Sequence, residues 1–273
     1  MNNMLISDLE SGNYFVMKNI FLYLFGKFLW IKLSNDFKYK GSWKKGRFHG
    51  NGTLKYKNGS LYRGSFLNGA KNGYGTFISI SGFEYHGQWY KGKQTGKGQA
   101  HYKNGDIYTG YFLDGLKHGF GEIFTIKDQR NYKGHWNKDK ITGECQVTSA
   151  NWVFYGIIDF LSFKAEGKLT YKDGSEYIGS LKDFEKNGFG KFTHFSGETY
   201  TGDWQNNVSV IDAKKIDNNG FVWEGSFKDL NPDGILSVKS SDQKKYGGVW
   251  SNGSMLRAIG SIGMKTKPFI IYH

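Results

Sequence analysis

The chain has 273 residues, with 39 Gly, only 2 Pro and 18% aromatic residues. Glycine at twice its usual share without proline excludes collagen and Pro-rich disorder, and the aromatic content excludes a generic disordered chain, which cannot bury enough apolar surface to order itself. The formal charge of +13 is uneven: residues 1–140 hold 22 Lys and Arg against 9 Asp and Glu, whereas 141–273 hold 15 of each, so the first half is read either as facing an acidic or anionic partner or as a lysine-decorated sheet whose charge only prevents aggregation.

In chain order, residues 1–13 read as a loosely ordered start. The run from Ile20 to Leu33 is the most apolar, but Gly26, Lys27 and Lys32 interrupt it. It is too short to span a bilayer. It also starts too far in, and lacks the small-x-small site, for a signal peptide. Its phase, with Leu33 at an aromatic position and Asp36 at a turn, makes residues 1–38 an N-terminal segment with a degenerate capping repeat. The alternative for the run is an amphipathic segment lying on a membrane surface.

From Tyr39 a 23-residue period sets in. With Tyr39 as position 0, the equivalents are Tyr62, Tyr85, Tyr108, Tyr132, Phe154, Tyr177, Tyr200, Trp223 and Tyr246. Position 2 is Gly in every repeat, from Gly41 to Gly248. Position 4 is large and apolar, as in Trp43, Phe66, Trp89, Phe112 and Trp136. Glycines recur at position 11 (Gly50, Gly73, Gly96, Gly119, Gly143), at 13 (Gly52, Gly75, Gly98) and at 20 (Gly59, Gly82, Gly105). The pattern Y-x-G-x-W-x-x-G-x-x-x-G-x-G-x-x-x-Y-x-x-G resembles the MORN repeat, and Tyr85, Gly87, Trp89, Gly92, Gly96, Gly98, Tyr102 and Gly105 match it throughout.

Side chains alternate along a strand, so positions 0, 2 and 4 share one aromatic face and positions 1 and 3 form a polar one. The pairs Asn58-Gly59, Asn104-Gly105, Asp173-Gly174 and Asn219-Gly220 predict type I′ hairpin turns, and positions 5–11 a longer link. The expected fold is all-β: an elongated single-layer antiparallel β solenoid of stacked hairpins over 39–257, with 258–273 as a C-terminal cap or tail.

Chemistry is not signalled. Gly96-Lys97-Gly98 and Gly188-Phe189-Gly190 recur at fixed repeat positions without a following helix, so they are turn glycines and not a dinucleotide fingerprint. The sequons at Asn51, Asn58 and Asn252 are by-products of turn chemistry. His49 and His118 are loop histidines without metal-ligand spacing, and Cys145 is the single cysteine. No catalytic, cofactor-binding or metal-binding residue is assigned, and the chain is read as non-enzymatic.

Two surfaces are candidates for partners. One is an aromatic trough of Tyr62, Phe66, Tyr85, Trp89, Tyr108, Phe112, Tyr132 and Trp136, shaped for an extended or helical segment. The other is a basic surface of Lys40, Lys55, Lys57, Arg63, Lys103 and Lys133, suited to an acidic protein or an anionic membrane. Single-stranded nucleic acid ranks low, because the repeating aromatics serve the fold, and a homodimer is left open. The resemblance implies a cytoplasmic scaffold or adaptor, cytoskeletal or ciliary in the manner of radial-spoke components, not secreted and without a transmembrane segment. Its runner-up is a peripheral module binding anionic phospholipids through the basic half.

Overall fold

The computed structural model describes residues 14–32, 36–208 and 213–261, with 14–19 and 260–261 described by backbone alone. The expectations for residues 1–13, Leu33 and 262–273 lie outside the described residues. The chain divides into two compact units, 1–142 and 143–273.

The first unit holds α1 (Tyr14–Phe25), β1 (Ile31–Lys32), β2 (Phe37–Lys44), β3 (Arg47–Tyr56), β4 (Leu61–Leu67), β5 (Ala70–Ile78), β6 (Glu84–Tyr90), β7 (Lys93–His101), β8 (Ile107–Leu113), β9 (Leu116–Thr125) and β10 (Arg130–Asn137). Each strand pairs antiparallel with the next, so the unit is a single-layer meander from β1 to β10. Strand β11 (Lys140–Thr148) carries the chain across the boundary.

The second unit continues with β12 (Trp152–Asp159), β13 (Lys164–Tyr171), β14 (Glu176–Lys182), β15 (Glu185–Thr193), β16 (Thr199–Trp204), β17 (Ala213–Ile216), β18 (Val222–Lys228), β19 (Asn231–Lys239), β20 (Lys245–Ser251) and β21 (Ser254–Ser261). It is again an antiparallel meander of sequence neighbours, β11 to β21. The fold is all-β, built from the hairpins that the period marks.

The turns are exchanged relative to the expectation. At Asn58-Gly59 only the glycine has positive φ; Gly59 N–H donates to Tyr56 O (3.0 Å) and Tyr56 N–H to Ser60 O (2.9 Å). That is a type I turn closed by a left-handed glycine, the three-residue hairpin. Gly105 repeats it with Tyr102 O and Gly174 with Tyr171 O. The type I′ geometry lies instead at positions 6 and 7, within the expected long link. Both residues are left-handed in Lys45-Gly46, Asn68-Gly69, Lys91-Gly92 and Asp114-Gly115. No long loop is needed, because the position-11 glycine takes positive φ and the pairing shifts register there, between Gly41 and Trp43 and again between Gly87 and Trp89. Three residues lie between Phe48 and Gly52 where one lies between Gly41 and Trp43, so an irregular bulge absorbs two extra residues and the strand continues.

The hairpin arms are tied to one another. The position-7 N–H of one repeat donates to the position-9 carbonyl of the repeat before: Gly69 to Phe48, Gly92 to Lys71 and Gly115 to Gln94, each 2.9 Å, and Asp139 to Lys117 at 3.0 Å.

The N-terminal segment is a helix where a degenerate strand repeat was expected. The run Tyr14–Phe25 contains neither Gly nor Pro, and it stops at Gly26, whose N–H bonds Leu22 O at 3.0 Å. Leu22 and Ile31 are buried, a Cβ on Gly26 would run into Trp43, and Gly41 N–H donates to Gly26 O at 2.8 Å. The segment therefore covers the end of the aromatic face at β2. Part of it stays uncovered: Tyr23 is 68% and Phe28 71% exposed, and Leu24, Phe25 and Leu29 are exposed beside them.

Candidate functional surfaces

The aromatic face is the core. The position-0 tyrosine of each of the first four repeats lies along its own strand and donates its hydroxyl to the position-3 carbonyl: Tyr39 to Ser42, Tyr62 to Ser65 and Tyr108 to Tyr111 at 3.0 Å, Tyr85 to Gln88 at 2.9 Å. The ring thus crosses the glycines at positions 2 and 13. A Cβ on Gly87 would lie 2.5 Å from the Tyr85 hydroxyl and 2.6 Å from Gly98 Cα. Only glycine leaves room for the ring.

Position-4 rings meet these tyrosines edge to face, with Tyr62–Phe66 at 5.1 Å, Tyr62–Trp89 at 5.1 Å and Tyr85–Phe112 at 5.0 Å. The indoles of Trp89, Trp136 and Trp204 donate to Gly75 O, Gly121 O and Gly190 O at 3.0–3.1 Å. Burial drives the phenolic pKa of Tyr62, Tyr85 and Tyr108 well above the usual value.

Seven of the eight residues read as a partner-binding trough are therefore buried: Tyr62, Phe66, Tyr85, Trp89, Tyr108, Phe112 and Trp136. The structure corrects their placement on an open surface. Tyr132 departs from its equivalents; it is half-buried and donates to Asp128 Oδ2 at 2.7 Å.

What closes the trough is position 9, which the sequence reading left out. In the first repeat Phe48 stacks on Tyr39 at 4.1 Å. In the second, the Lys71 ammonium lies 4.5 Å from the ring centre of Trp89, 4.8 Å from Phe77, 5.1 Å from Tyr62 and 5.5 Å from Tyr56. Lys117 stands over Trp136, Tyr102 and Tyr108, and Lys186 over Phe192, Trp204 and Tyr171. Lys117 also has Asp139 at 3.7 Å, whereas Lys71 and Lys186 have no carboxylate within ion-pair distance among the described residues. Burial pulls both of the latter down to about 8, and the ring faces that hold the cations work in the opposite direction. A signal for these cages existed: each lysine comes 15 residues after a position-17 tyrosine and 18 or 19 before a position-4 tryptophan.

The basic surface lies mostly where it was expected. Lys55, Arg63 and Lys133 are exposed, Lys40 is half-buried, and all four are strand residues on the face away from the rings; Lys57 and Lys103 sit in exposed turns. That face also carries aromatic side chains that the repeat does not require. Tyr74 is 66%, Phe120 47% and Tyr111 42% exposed.

No group of three or more His, Cys, Asp or Glu that could hold a metal occurs among the described residues, and none of their helices is long and apolar enough to cross a membrane. Cys145 is buried, which raises its thiol to about 11 and makes it a poor nucleophile.

A family model matches the repeats that this geometry shows. The MORN-repeat family model matches residues 39–61, 62–82, 85–107, 108–123 and 132–153. Alsin from Mus musculus and from Homo sapiens is 28% identical over 199 residues, covering 70% of this chain; that stretch is 10% of Alsin, so the chain spans about a tenth of those relatives. Among solved structures, the TCP10 domain of Danio rerio CPAP in complex with a peptide of Danio rerio STIL covers 78% of this chain and 93% of that one, with a TM-score of 0.46 and 11% identity. The CPAP G-box domain covers 65% and 93%, with a TM-score of 0.40 and 9% identity. With five consecutive units matched, and the tyrosine, glycine and tryptophan of the motif accounted for by one packing scheme, residues 39–153 are an array of MORN repeats.

Proposed function

We propose that the chain is a non-enzymatic scaffold or adaptor that assembles proteins in the cytoplasm, at the cytoskeleton or a cilium. The observation that carries this reading is a division of labour within the repeat. Positions 0, 2, 4 and 13 recur because the core consumes them. The outward positions vary from unit to unit: position 12 is Asn51, Tyr74, Lys97 and Phe120 in successive repeats. Such an array holds its backbone constant and displays a different side chain every few ångströms, which suits the recognition of an irregular partner surface. The test is affinity capture with the full-length chain from its native cell, after cross-linking, with the eluate divided into cytoskeletal and soluble fractions. Stoichiometric proteins in the cytoskeletal fraction support the reading; recovery of lipid alone overturns it.

A second reading is an anionic membrane surface. The specific observation is the exposed apolar cluster of Tyr23, Leu24, Phe25, Phe28 and Leu29 in a very basic neighbourhood. Between Glu10 and Glu84 the only carboxylate side chain is Asp36, against twelve Lys and Arg. Apolar insertion and charge attraction together are what hold an interfacial segment on a bilayer. Flotation with vesicles of phosphatidylcholine, with and without phosphatidylserine, tests it. The chain should float only with the anionic vesicles, and Phe28→Ser should abolish this; equal flotation of the variant overturns it.

A further inference from the structure

We infer that the outward face of β5 to β10 is a docking row for an extended acidic segment of a partner protein, which names the surface and the partner chemistry of the scaffold reading and rests on that reading. In order across six successive strands the row reads Tyr74, Gln88, Lys97, Tyr111, Phe120 and His135. Register places Tyr74 opposite Gln88, Lys97 opposite Tyr111, and Phe120 opposite His135. The remaining steps are close as well: Lys97 N–H donates to Gln88 Oε1 at 2.9 Å, and a Cβ on Gly119, beside Phe120, would lie 3.3 Å from Tyr111 Cβ.

Five side chains of this row are exposed and Gln88 is half-buried, and they are held in place. Gln88 Nε2 donates to the Tyr74 hydroxyl at 3.1 Å. The Lys97 ammonium lies 5.6 Å from the Tyr111 ring centre and that of Lys133 5.8 Å from Phe120, whose ring meets His135 edge to face at 5.4 Å. Holding long and aromatic side chains in one arrangement before binding removes part of the ordering cost of association. None of these rings serves the repeat lattice. Position 12 is Asn51 in the first repeat and position 3 is Ser42 and Ser65 in the first two, and those repeats pack without an aromatic there.

The chemistry of the row selects its occupant. Lys97 and Lys133 offer ammonium groups beside exposed rings; the strand carboxylates on the same face are Glu122, in register with Lys133, and Glu84, which pairs with His86 at 2.8 Å. The complement is a chain that alternates carboxylates with apolar groups. Nucleic acid fits less well, because a base needs a free ring face to stack on and the lysines stand over faces of Tyr111 and Phe120. The spacing suits an extended chain. Tyr74 and Tyr111 are three strands apart, about 14 Å at ~4.8 Å per strand, and four residues of extended peptide cover about 13 Å, returning a side chain to the same side. The segment crosses the strands and is held by side chains, so no sheet edge is required.

The experiment uses the full-length chain and a fluorescein-labelled peptide of roughly a dozen residues alternating Glu and Leu. Its Lys–Leu counterpart, a thymidine oligonucleotide and phosphatidylserine vesicles serve as competing probes. The Glu–Leu peptide is expected to bind. Lys97→Glu combined with Lys133→Glu should weaken it on the order of tenfold or more, mainly at low salt. Tyr74→Ser combined with Phe120→Ser should weaken it at low and high salt alike. All four side chains are exposed, so the thermal melts should match wild type. Equal binding to every variant, no peptide binding even at low salt, or oligonucleotide binding lost in the same variants overturns the inference. Cellular capture by the variants separates this from the scaffold reading. Unchanged protein partners leave the scaffold standing and refute the row; the absence of any protein partner with wild type refutes the scaffold.

Discussion

At the scale of the residue, the repeat is a solution to one packing problem: a phenol laid flat along its own strand. The hydroxyl bonds a carbonyl three residues on, so the ring must cross two backbones, and those two residues must be glycine. Gly87→Val therefore places a branched side chain under Tyr85 and costs about 1–3 kcal/mol by overpacking. Gly92→Ala, in the turn of the same repeat, meets nothing within 4 Å but has φ of +86°, so its cost is the left-handed strain alone, about 1 kcal/mol. Thermal melts of the two variants should rank in that order; equal shifts would mean that the ring does not rest on Gly87. Left-handed strain can also be relieved. Leu230 occupies a type I′ turn position at φ +65°, where the first four repeats have glycine. Leu230→Gly should raise the melting temperature, the gain of about 1 kcal/mol in strain exceeding the loss of a half-buried side chain.

At the scale of the element, much was legible because the period fixes which residues share a strand face. The ring face, the polar face and the hairpins all followed from alternation. The turn types did not. Asn-Gly signals type I′ only if both residues are left-handed, and Asn58 is not, because the glycine here closes a type I turn. Nor did the helix at Tyr14–Phe25, since an apolar run in phase with the repeats reads as a strand until its lack of Gly and Pro is weighed. Seven of the eight trough residues lie in the core, and they were assigned to a surface because nothing local shows that Lys71 and Lys117 fold over them. A buried lysine usually signals an error, and here the rings make it tolerable. The cages have a consequence in pH. Lys71 and Lys186 titrate near 8 in the folded chain and near the ordinary value, about 10.4, when unfolded. Between those values the native state binds fewer protons than the unfolded state, so stability rises with pH. Tyr39, Tyr62, Tyr85, Tyr108 and Tyr177 have raised pKa values, so their contribution is present below about pH 10 and is lost above it. The melting temperature should climb from pH 7.5 to a maximum near pH 10 and then fall. Lys71→Met with Lys186→Met should flatten the climb and leave the fall; a climb that survives in the double variant would assign it to other groups.

At the scale of the whole molecule, a net charge and a charged patch make different claims. Net charge of +13 attracts any polyanion whatever its distribution, and repels other copies of the chain. A patch attracts from one side, because at physiological ionic strength charges farther than about 8 Å from the ligand are largely screened. The two are separable without knowing the partner. Reversing Lys55, Arg63 and Lys133 to Glu changes the net charge by the same amount as reversing Lys164, Lys182 and Lys191, and all six are exposed. If net charge governs, the two triple variants should release from immobilised polyglutamate at the same salt concentration. The distribution argues for inequality. The first three lie in the half with 22 basic against 9 acidic side chains, where few carboxylates stand between them and a ligand, whereas the second three lie among equal numbers of both. The first-half variant should therefore elute at clearly lower salt than the second-half variant, and the gap should narrow as the loading salt is raised. Coincident elution would reduce the basic half to an aid to solubility, and recognition would then fall to the apolar side chains on the outward face.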